Sequence, residues 1–160
     1  REPWYFADAM ATFADIAGAV PFLPENIDSR SVWPVLRGER ERPNIRPLYW
    51  EGYNQCSGGF LQVVRKGPWK LMRFSSLVRQ HPSNPELPET SPPAYLELYN
   101  LEEDKGERNN GAKDHPEICR ELTGIMNETY TPHPDFPLSE TEQRVFDIRT
   151  WGDIGDVFSD

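Results

Sequence analysis

The sequence is poor in cysteine, in basic residues and in long apolar runs, and each shortage excludes a class of protein. Two cysteines, Cys56 and Cys119, are too few for a disulfide framework or a cysteine metal cluster. Whether they pair or stay free is open at this point, with free thiols favoured. No stretch approaches the roughly 18 consecutive apolar residues of a membrane-spanning helix, and the first residues carry no signal-like region. We therefore expect a soluble domain without a membrane partner.

Basic residues are outnumbered by acidic ones. The 17 Lys and Arg face 26 Asp and Glu, which gives a formal net charge of -9. A surface that neutralises nucleic-acid phosphates needs clustered Lys and Arg, so we expect no nucleic-acid partner. To bind an anionic ligand, the protein would need Lys or Arg side chains placed at the site, because its net negative charge repels anions.

Proline and glycine, by contrast, are plentiful. The chain has 16 prolines and 11 glycines, while hydrophobic residues make up 37% of it. Such a composition indicates short elements joined by irregular backbone. The length of 160 residues suits one domain of ordinary size. We expect a small sheet with a few helices rather than a large α/β fold.

The first predicted element is a helix over residues 6–17. Apolar side chains recur there at helical spacing: Phe6, Met10, Phe13 and Ala17. Gly18 follows as a suitable C-terminal cap. Residues 19–47 contain five prolines and a charged run, which is typical of a connector, and include one short helix candidate around residues 31–36.

From residue 48 the apolar period changes from helical to alternating. Four extended segments follow, at residues 48–50, 60–65, 69–74 and 95–99. Lys66, Gly67 and Pro68 form a tight turn between the second and third segments, which makes a hairpin. The simplest topology is a four-stranded antiparallel sheet.

A second helix is predicted after the sheet. Asp114 is placed as an N-cap with Glu117 three residues later and Pro116 in the first turn, the pattern of a capping box. The apolar residues of this helix can lie across one face of the sheet: Ile118, Leu122, Ile125 and Met126. Residues 139–148 predict another short helix, followed by a docked or frayed tail.

Several short strings carry a family resemblance through their order and spacing. They are residues 48–51 (LYWE), 62–71 (QVVRKGPWKL), 97–101 (ELYNL) and 103–110 (EDKGERNN), preceded by 5–8 (YFAD), 15–18 (DIAG) and 27–31 (IDSRS). Together they resemble the end of type I, formylglycine-dependent sulfatases of the arylsulfatase and N-acetylgalactosamine-6-sulfatase kind. The match covers about residues 3–130. Lys105 departs from it, because the family often has proline there.

The resemblance implies an α+β fold in which a small four-stranded antiparallel sheet packs with a C-terminal helix. It assigns residues 1–47 to the end of the large sulfatase domain and a connector, so that the N-terminal helix belongs to a missing large α/β domain. Residues 48–130 are then the C-terminal sheet subdomain, and residues 131–160 a tail.

The resemblance also implies chemistry that this chain does not carry. The family makes formylglycine within a Cys/Ser-x-Pro/Ala-x-Arg motif and uses a divalent cation, which is calcium in our expectation for the parent. Cys56 is followed by Ser-Gly-Gly-Phe, and no serine of the chain has the motif either. The acidic residues at 102–104 are typical of a solvated turn. We therefore expect no catalytic residue, no metal ligand and no cofactor on this chain.

A contribution to substrate binding is expected at the loop after the first strand. Tyr53 could stack on a sugar ring, while Asn54 and Gln55 could bond its hydroxyls. Gln62 and Arg65 lie on the next strand, and an arginine can hold a sulfate in bidentate fashion, although an ordinary salt bridge is slightly favoured for Arg65.

The leading hypothesis is therefore the C-terminal subdomain of an exported hydrolase of sulfate esters, periplasmic, extracellular or lysosomal, acting on sulfated sugars. Its partner is the catalytic N-terminal sulfatase domain, against which the aromatic residues of the hairpin pack. The alternative is a free-standing carbohydrate-binding or interaction module that shares the sheet.

Overall fold

The computed structural model describes residues 3–39, 46–54, 59–75 and 94–154, without the side chains of Tyr53, Asn54, Ser75, Ala94, Tyr95 and Thr141. The chain forms two compact units, Arg1–Leu48 and Tyr49–Asp160. Helices and a four-stranded sheet make the fold α+β, as the sequence predicts.

The first unit consists of helices and ordered loops. Helix α1 spans Asp8–Ile16, a 3-10 turn spans Val20–Phe22, and the short helix α2 spans Trp33–Leu36. Both predicted helices are confirmed with shorter bounds. Gly18 has φ +68° after the end of α1, a conformation that glycine adopts without steric cost.

A buried carboxylate organises this first unit. Asp8 is 2% exposed and accepts hydrogen bonds from the amides of Tyr5 at 3.3 Å and Arg30 at 3.0 Å. The guanidinium of Arg46 forms an ion pair with the same carboxylate. Because these donors come from separate parts of the sequence, one side chain on α1 fixes the path of the connector.

The apolar stripe of α1 faces away from this polar contact. The residues that α1 buries are Asp8, Ala11 and Thr12, and the amide of Val32 donates to the hydroxyl of Thr12 at 3.1 Å. The large apolar side chains are exposed instead: Phe6 93%, Met10 58%, Phe13 68% and Ile16 50%. Helical periodicity predicted the stripe correctly, but the unit does not bury it.

The second unit is built on the predicted sheet. Strands β1 Leu48–Asn54, β2 Gly59–Lys66, β3 Trp69–Ser75 and β4 Ala94–Asn100 confirm the four predicted segments. They lie in the order β1-β2-β3-β4, with β2–β3 and β3–β4 antiparallel. Gly67 has φ +58° in the turn between β2 and β3.

Helix α3, Pro116–Thr129, packs on one face of the sheet against β2 and β3. The core joins apolar residues of β2, β3, β4, the loop before α3, α3 and the C-terminal segment: Val64, Leu71, Leu96, Leu98, Ala112, Cys119, Leu122, Met126, Val145, Ile148 and Ile154. The predicted capping box is wrong, because the N-cap is His115 and no side chain caps the helix.

The chain beyond α3 belongs to the same core. Helix α4 spans Glu140–Arg144 and continues into a 3-10 turn over Val145–Asp147. A capping box begins this helix, where Ser139 and Glu142 exchange side-chain to backbone hydrogen bonds. Val145 and Ile148 are fully buried, so this segment is docked.

Candidate functional site

Of the residues predicted to bind substrate, the structure describes the side chains of Gln62 and Arg65. Tyr53 and Asn54 end strand β1, and Gln55 lies outside the described residues. Gln62 and Arg65 are both on β2, three residues apart, so their side chains leave opposite faces of the sheet. Arg65 is also far along the strand from the loop, since a strand rises about 3.3 Å per residue.

Gln62 is fully buried, and both ends of its amide bind protein groups. Its Oε1 accepts from Nε of Arg73 at 3.1 Å and from a terminal guanidinium nitrogen at 2.6 Å. Its Nε2 donates to the hydroxyl of Tyr49 at 2.9 Å. Gln62 therefore acts inside the protein as a link between two strands.

Arg73 is fully buried, and its guanidinium donates hydrogen bonds to uncharged amide and carbonyl oxygens. Besides Gln62 it donates to the carbonyl of Ile148 at 3.1 Å and to the side chain of Asn127, and it lies 5.1 Å from the ring centre of Phe146. Burial, and then the nearby Arg149, lowers the pKa of Arg73 to about 9. The guanidinium thus stays charged at neutral pH.

The buried network ends on an exposed carboxylate. The hydroxyl of Tyr49, which accepts from Gln62, donates to Oε2 of Glu51 at 2.5 Å. Burial and this carboxylate raise the pKa of Tyr49, so the phenol keeps the proton that it donates. An unbroken line of hydrogen bonds therefore runs from Arg73 through Gln62 and Tyr49 to Glu51.

Glu51 borders a cleft of about 310 Å³ between β1 and the segment after α3. We call it the β1 cleft. Its lining combines aromatic, apolar and polar side chains: Glu51, Gly52, Phe60, Tyr130, Thr131, His133, Phe136 and Leu138. It therefore offers both flat ring faces and hydrogen-bonding groups at one end of the sheet.

A larger cavity of about 620 Å³ adjoins the β1 cleft and shares Tyr130, His133 and Leu138 with it. Its other lining residues are Pro132, Pro134, Pro137, Gln143 and Phe146. The wall common to both spaces is the stretch from residue 131 to residue 138, which we call the proline segment. Proline fixes φ, so this wall has few alternative conformations.

The sequence predicted no role for the proline segment. Its ring pair was available as a signal, since His133 and Phe136 lie within a run of prolines. In the structure the amide of Phe136 donates to the carbonyl of His133 at 3.1 Å, and their ring centres are 5.4 Å apart. Both side chains are largely exposed.

Arg65 lies opposite Lys70 on the second face of the sheet. Lys70 is paired with Glu107 at 2.7 Å, whereas the buried Nε of Arg65 has no hydrogen-bond partner among the described residues. Arg65 therefore keeps an unused donor, although it is remote from the β1 cleft.

The described parts of the chain hold neither a cluster of metal-ligating side chains nor a membrane-spanning helix. Within those parts, no three His, Cys, Asp or Glu side chains are grouped so that they could hold an ion. The described residues thus do not fit a calcium site. Nor is any helix within the described ranges long and apolar enough to cross a membrane.

Solved structures that resemble this chain include a GAG sulfatase and Ps i-CgsB. A 2-O GAG sulfatase has a TM-score of 0.57 and 24% identity over 76% of this chain and 23% of its own. A Bacteroides thetaiotaomicron protein of glycosaminoglycan metabolism has a TM-score of 0.51 and 25% identity over 76% and 24%. Ps i-CgsB, solved with k-i-k-neocarrahexaose, has a TM-score of 0.59 and 19% identity over 92% and 29%. No family model and no curated protein matches the sequence.

The likeness covers most of this chain but only a part of each related structure. The chain spans about a quarter of their lengths, between 23% and 29%. At these identities the likeness concerns the fold, which is the fold that the sequence resemblance implies. The chain has the fold of a portion of a sulfatase, in agreement with the predicted C-terminal portion.

Proposed function

We propose that this chain is the C-terminal subdomain of a sulfuric ester hydrolase and has no turnover of its own. The observation that carries the proposal is the shared fold, which takes in at least 76% of this chain and at most 29% of the related structures. The formylglycine and the divalent cation, calcium in our proposal, then belong to the rest of the parent protein.

The exposed face of α1 supports a role in completing a larger fold. Phe13 on α1 is 68% exposed and Phe6, just before the helix, is 93% exposed, while the opposite side of α1 is already packed. Burying one such side chain is worth about 1.5–3 kcal/mol. The occupant that we propose for this face is the catalytic domain of the parent, and the division into residues 1–47, 48–130 and 131–160 is part of the same proposal.

The substrate class that we propose is a sulfated sugar in an exported setting. The support is that one related structure is a GAG sulfatase and another holds a neocarrahexaose. Tyr53, Asn54 and Gln55 would contact the sugar from the loop after β1. Gln62 would act through Tyr49 and Glu51, and Arg65 would supply a separate anion contact through its terminal guanidinium nitrogens, because its Nε is buried.

The test compares this chain with the same reading frame extended upstream of Arg1. We expect metal-dependent hydrolysis of methylumbelliferyl sulfate from the extended protein and none from the 160-residue chain. Turnover by the chain alone would refute the proposal. An inactive extension that lacks a Cys/Ser-x-Pro/Ala-x-Arg motif would favour the free-standing carbohydrate-binding module instead.

Docking is tested with Phe13→Ser. In the extended protein the change should lower the free energy of unfolding by about 2 kcal/mol, because a buried phenylalanine is lost. In the 160-residue chain, where Phe13 is exposed, it should change little. Glu25→Gln, at another exposed position of the same unit, is the control and should be neutral in both proteins.

A further inference from the structure

We propose that the β1 cleft binds an uncharged pyranose ring, which adjoins the sulfated unit in the substrate. This deepens the proposed function and rests on it. The proposal uses Glu51, Thr131, His133 and Phe136, which are all described and all line the cleft.

The aromatic pair supplies a surface for the face of a sugar ring. Phe136 is 65% exposed, so its ring is open to a ligand, and the ring centre lies 5.4 Å from that of His133. The backbone turn between them and Pro132, Pro134 and Pro137 restrict how the pair can move. A ring platform that is rigid before binding loses little entropy on binding.

The opposite wall supplies a hydrogen-bond acceptor held in a fixed position. Oε2 of Glu51 accepts from Tyr49, whose hydroxyl is itself fixed by Gln62 and the buried Arg73. An ionised carboxylate accepts several hydrogen bonds, which suits two neighbouring sugar hydroxyls. The position of the Glu51 carboxylate is thereby tied to two fully buried residues, Gln62 and Arg73.

The charge of the cleft selects against a sulfated ring. Among the described residues that line it, the formal charge comes from Glu51, and neither lysine nor arginine is present. Asp135, next to the lining residue His133, adds a second carboxylate nearby. Sulfate oxygens are normally held by Arg or Lys. An uncharged ring is therefore the ligand that meets both the platform and the carboxylate.

The binding test uses the 160-residue chain and uncharged tetrasaccharides of galactose, glucose, mannose, xylose or N-acetylglucosamine. Amide resonances of Gly52, Thr131 and His133 should shift for at least one of them. The sulfated form of that sugar should bind about tenfold more weakly, because the carboxylate repels it. Absence of shifts with every sugar would overturn the proposal.

Substitutions of Phe136 isolate the platform. Phe136→Leu keeps an apolar side chain but removes the ring, and it should weaken binding about five- to tenfold. Phe136→Tyr keeps the ring and should bind as the parent chain does. Equal loss with both variants would contradict stacking.

Substitution of Glu51 isolates the charge. Glu51→Gln keeps an acceptor oxygen without the charge, so the preference for the unsulfated over the sulfated form should fall from about tenfold to about twofold. A purely structural glutamate would leave this ratio unchanged, and that result would overturn the proposal.

The extended protein separates failure of the cleft from failure of the proposed function. If it hydrolyses sulfated oligosaccharides and Phe136→Leu raises KM without changing kcat, both proposals hold. If it is active and Phe136→Leu changes only the melting temperature, the cleft is an interdomain contact and this proposal alone fails. If the chain binds sugars but the extension is no sulfatase, only the proposed function fails.

Discussion

The guanidinium of Arg73 donates two hydrogen bonds to a single oxygen of Gln62, from Nε at 3.1 Å and from a terminal nitrogen at 2.6 Å. The two residues are direct partners in the β2–β3 register, and both point into the core. Two polar residues on a buried face normally cost stability, and here each satisfies the other. The pair ties the sheet to α3 and to the C-terminal segment through Asn127 and Ile148.

Removal of Arg73 should be among the most damaging single changes. Arg73→Ala leaves Gln62, Asn127 and the carbonyl of Ile148 without their donor and opens a cavity, for an expected loss of about 3–4 kcal/mol. Urea unfolding of the whole chain measures it. Arg120→Ala, at an exposed arginine of α3, should change stability by less than about 0.5 kcal/mol. Equal effects of the two changes would contradict the network.

The same pair explains why Gln62 was expected to contribute to substrate binding although it lies in the core. Alternation along β2 predicts the strand, but a glutamine at residue 62 suggests a solvent-facing or ligand-binding position. Its partner Arg73 is eleven residues away and becomes visible only once the register is known. Local pattern therefore predicted the four strands and α3, while the polar core depended on nonlocal pairing.

The structure differs from the sequence-based predictions at two other places, α1 and the proline segment, and there too the cause is nonlocal packing. The apolar stripe of α1 was predicted from the helical spacing of its apolar residues. This spacing does not tell which side of the helix is buried, and in this unit the buried side carries Asp8 and Thr12. The proline segment has no helical or strand period, so nothing local predicted that it forms a wall of a cleft. Its position follows from the docking of Val145 and Ile148 in the core.

Replacement of Asp8 should loosen the first unit. Asp8→Asn removes the charge that pairs with Arg46. It also leaves one acceptor oxygen in place of two for the amides of Tyr5 and Arg30. We expect a loss of about 2 kcal/mol, or about 30-fold faster hydrogen exchange at the amide of Arg30. Glu25→Gln, which lies exposed in the connector, is the matched control. Unchanged protection of Arg30 would rule out this role for Asp8.

Cys119 should make stability depend on alkaline pH. Burial raises the pKa of this thiol to about 11 from an ordinary 9.0, so the unfolded chain loses the proton first. Stability is then unaffected below about pH 9 and falls by about 1.4 kcal/mol per pH unit between pH 9 and 11. Burial also raises the pKa of Tyr49 and of Tyr99, which adds a pH dependence of the same sign. The measurement is therefore the difference in slope between the parent and Cys119→Ala, and equal slopes would contradict the prediction.

The thiol of Cys119 should also be protected from reagents in the folded state. It is fully buried and lies 3.6 Å from the carbonyl of Ala112. In a Cys56→Ser background, labelling by a thiol reagent at pH 8 should require opening of the core, because the thiolate is the reactive form. Addition of urea should raise the labelling rate in step with unfolding. Fast labelling without denaturant would contradict the burial of this residue.

The capping box of α4 should contribute to docking of the C-terminal segment. The amide of Glu142 donates to Oγ of Ser139 at 3.3 Å, and the amide of Ser139 donates to the carboxylate of Glu142 at 2.8 Å. Ser139→Ala removes the acceptor and should cost about 1 kcal/mol, while Ser139→Asp keeps an acceptor and should restore most of it. Hydrogen exchange at the amide of Glu142 reports the change directly. Since α4 leads into Val145 and Ile148, Ser139→Ala should also speed hydrogen exchange at the amides of these two core residues. Faster exchange at Glu142 alone would mean that the capping box stabilises only the first turn of α4.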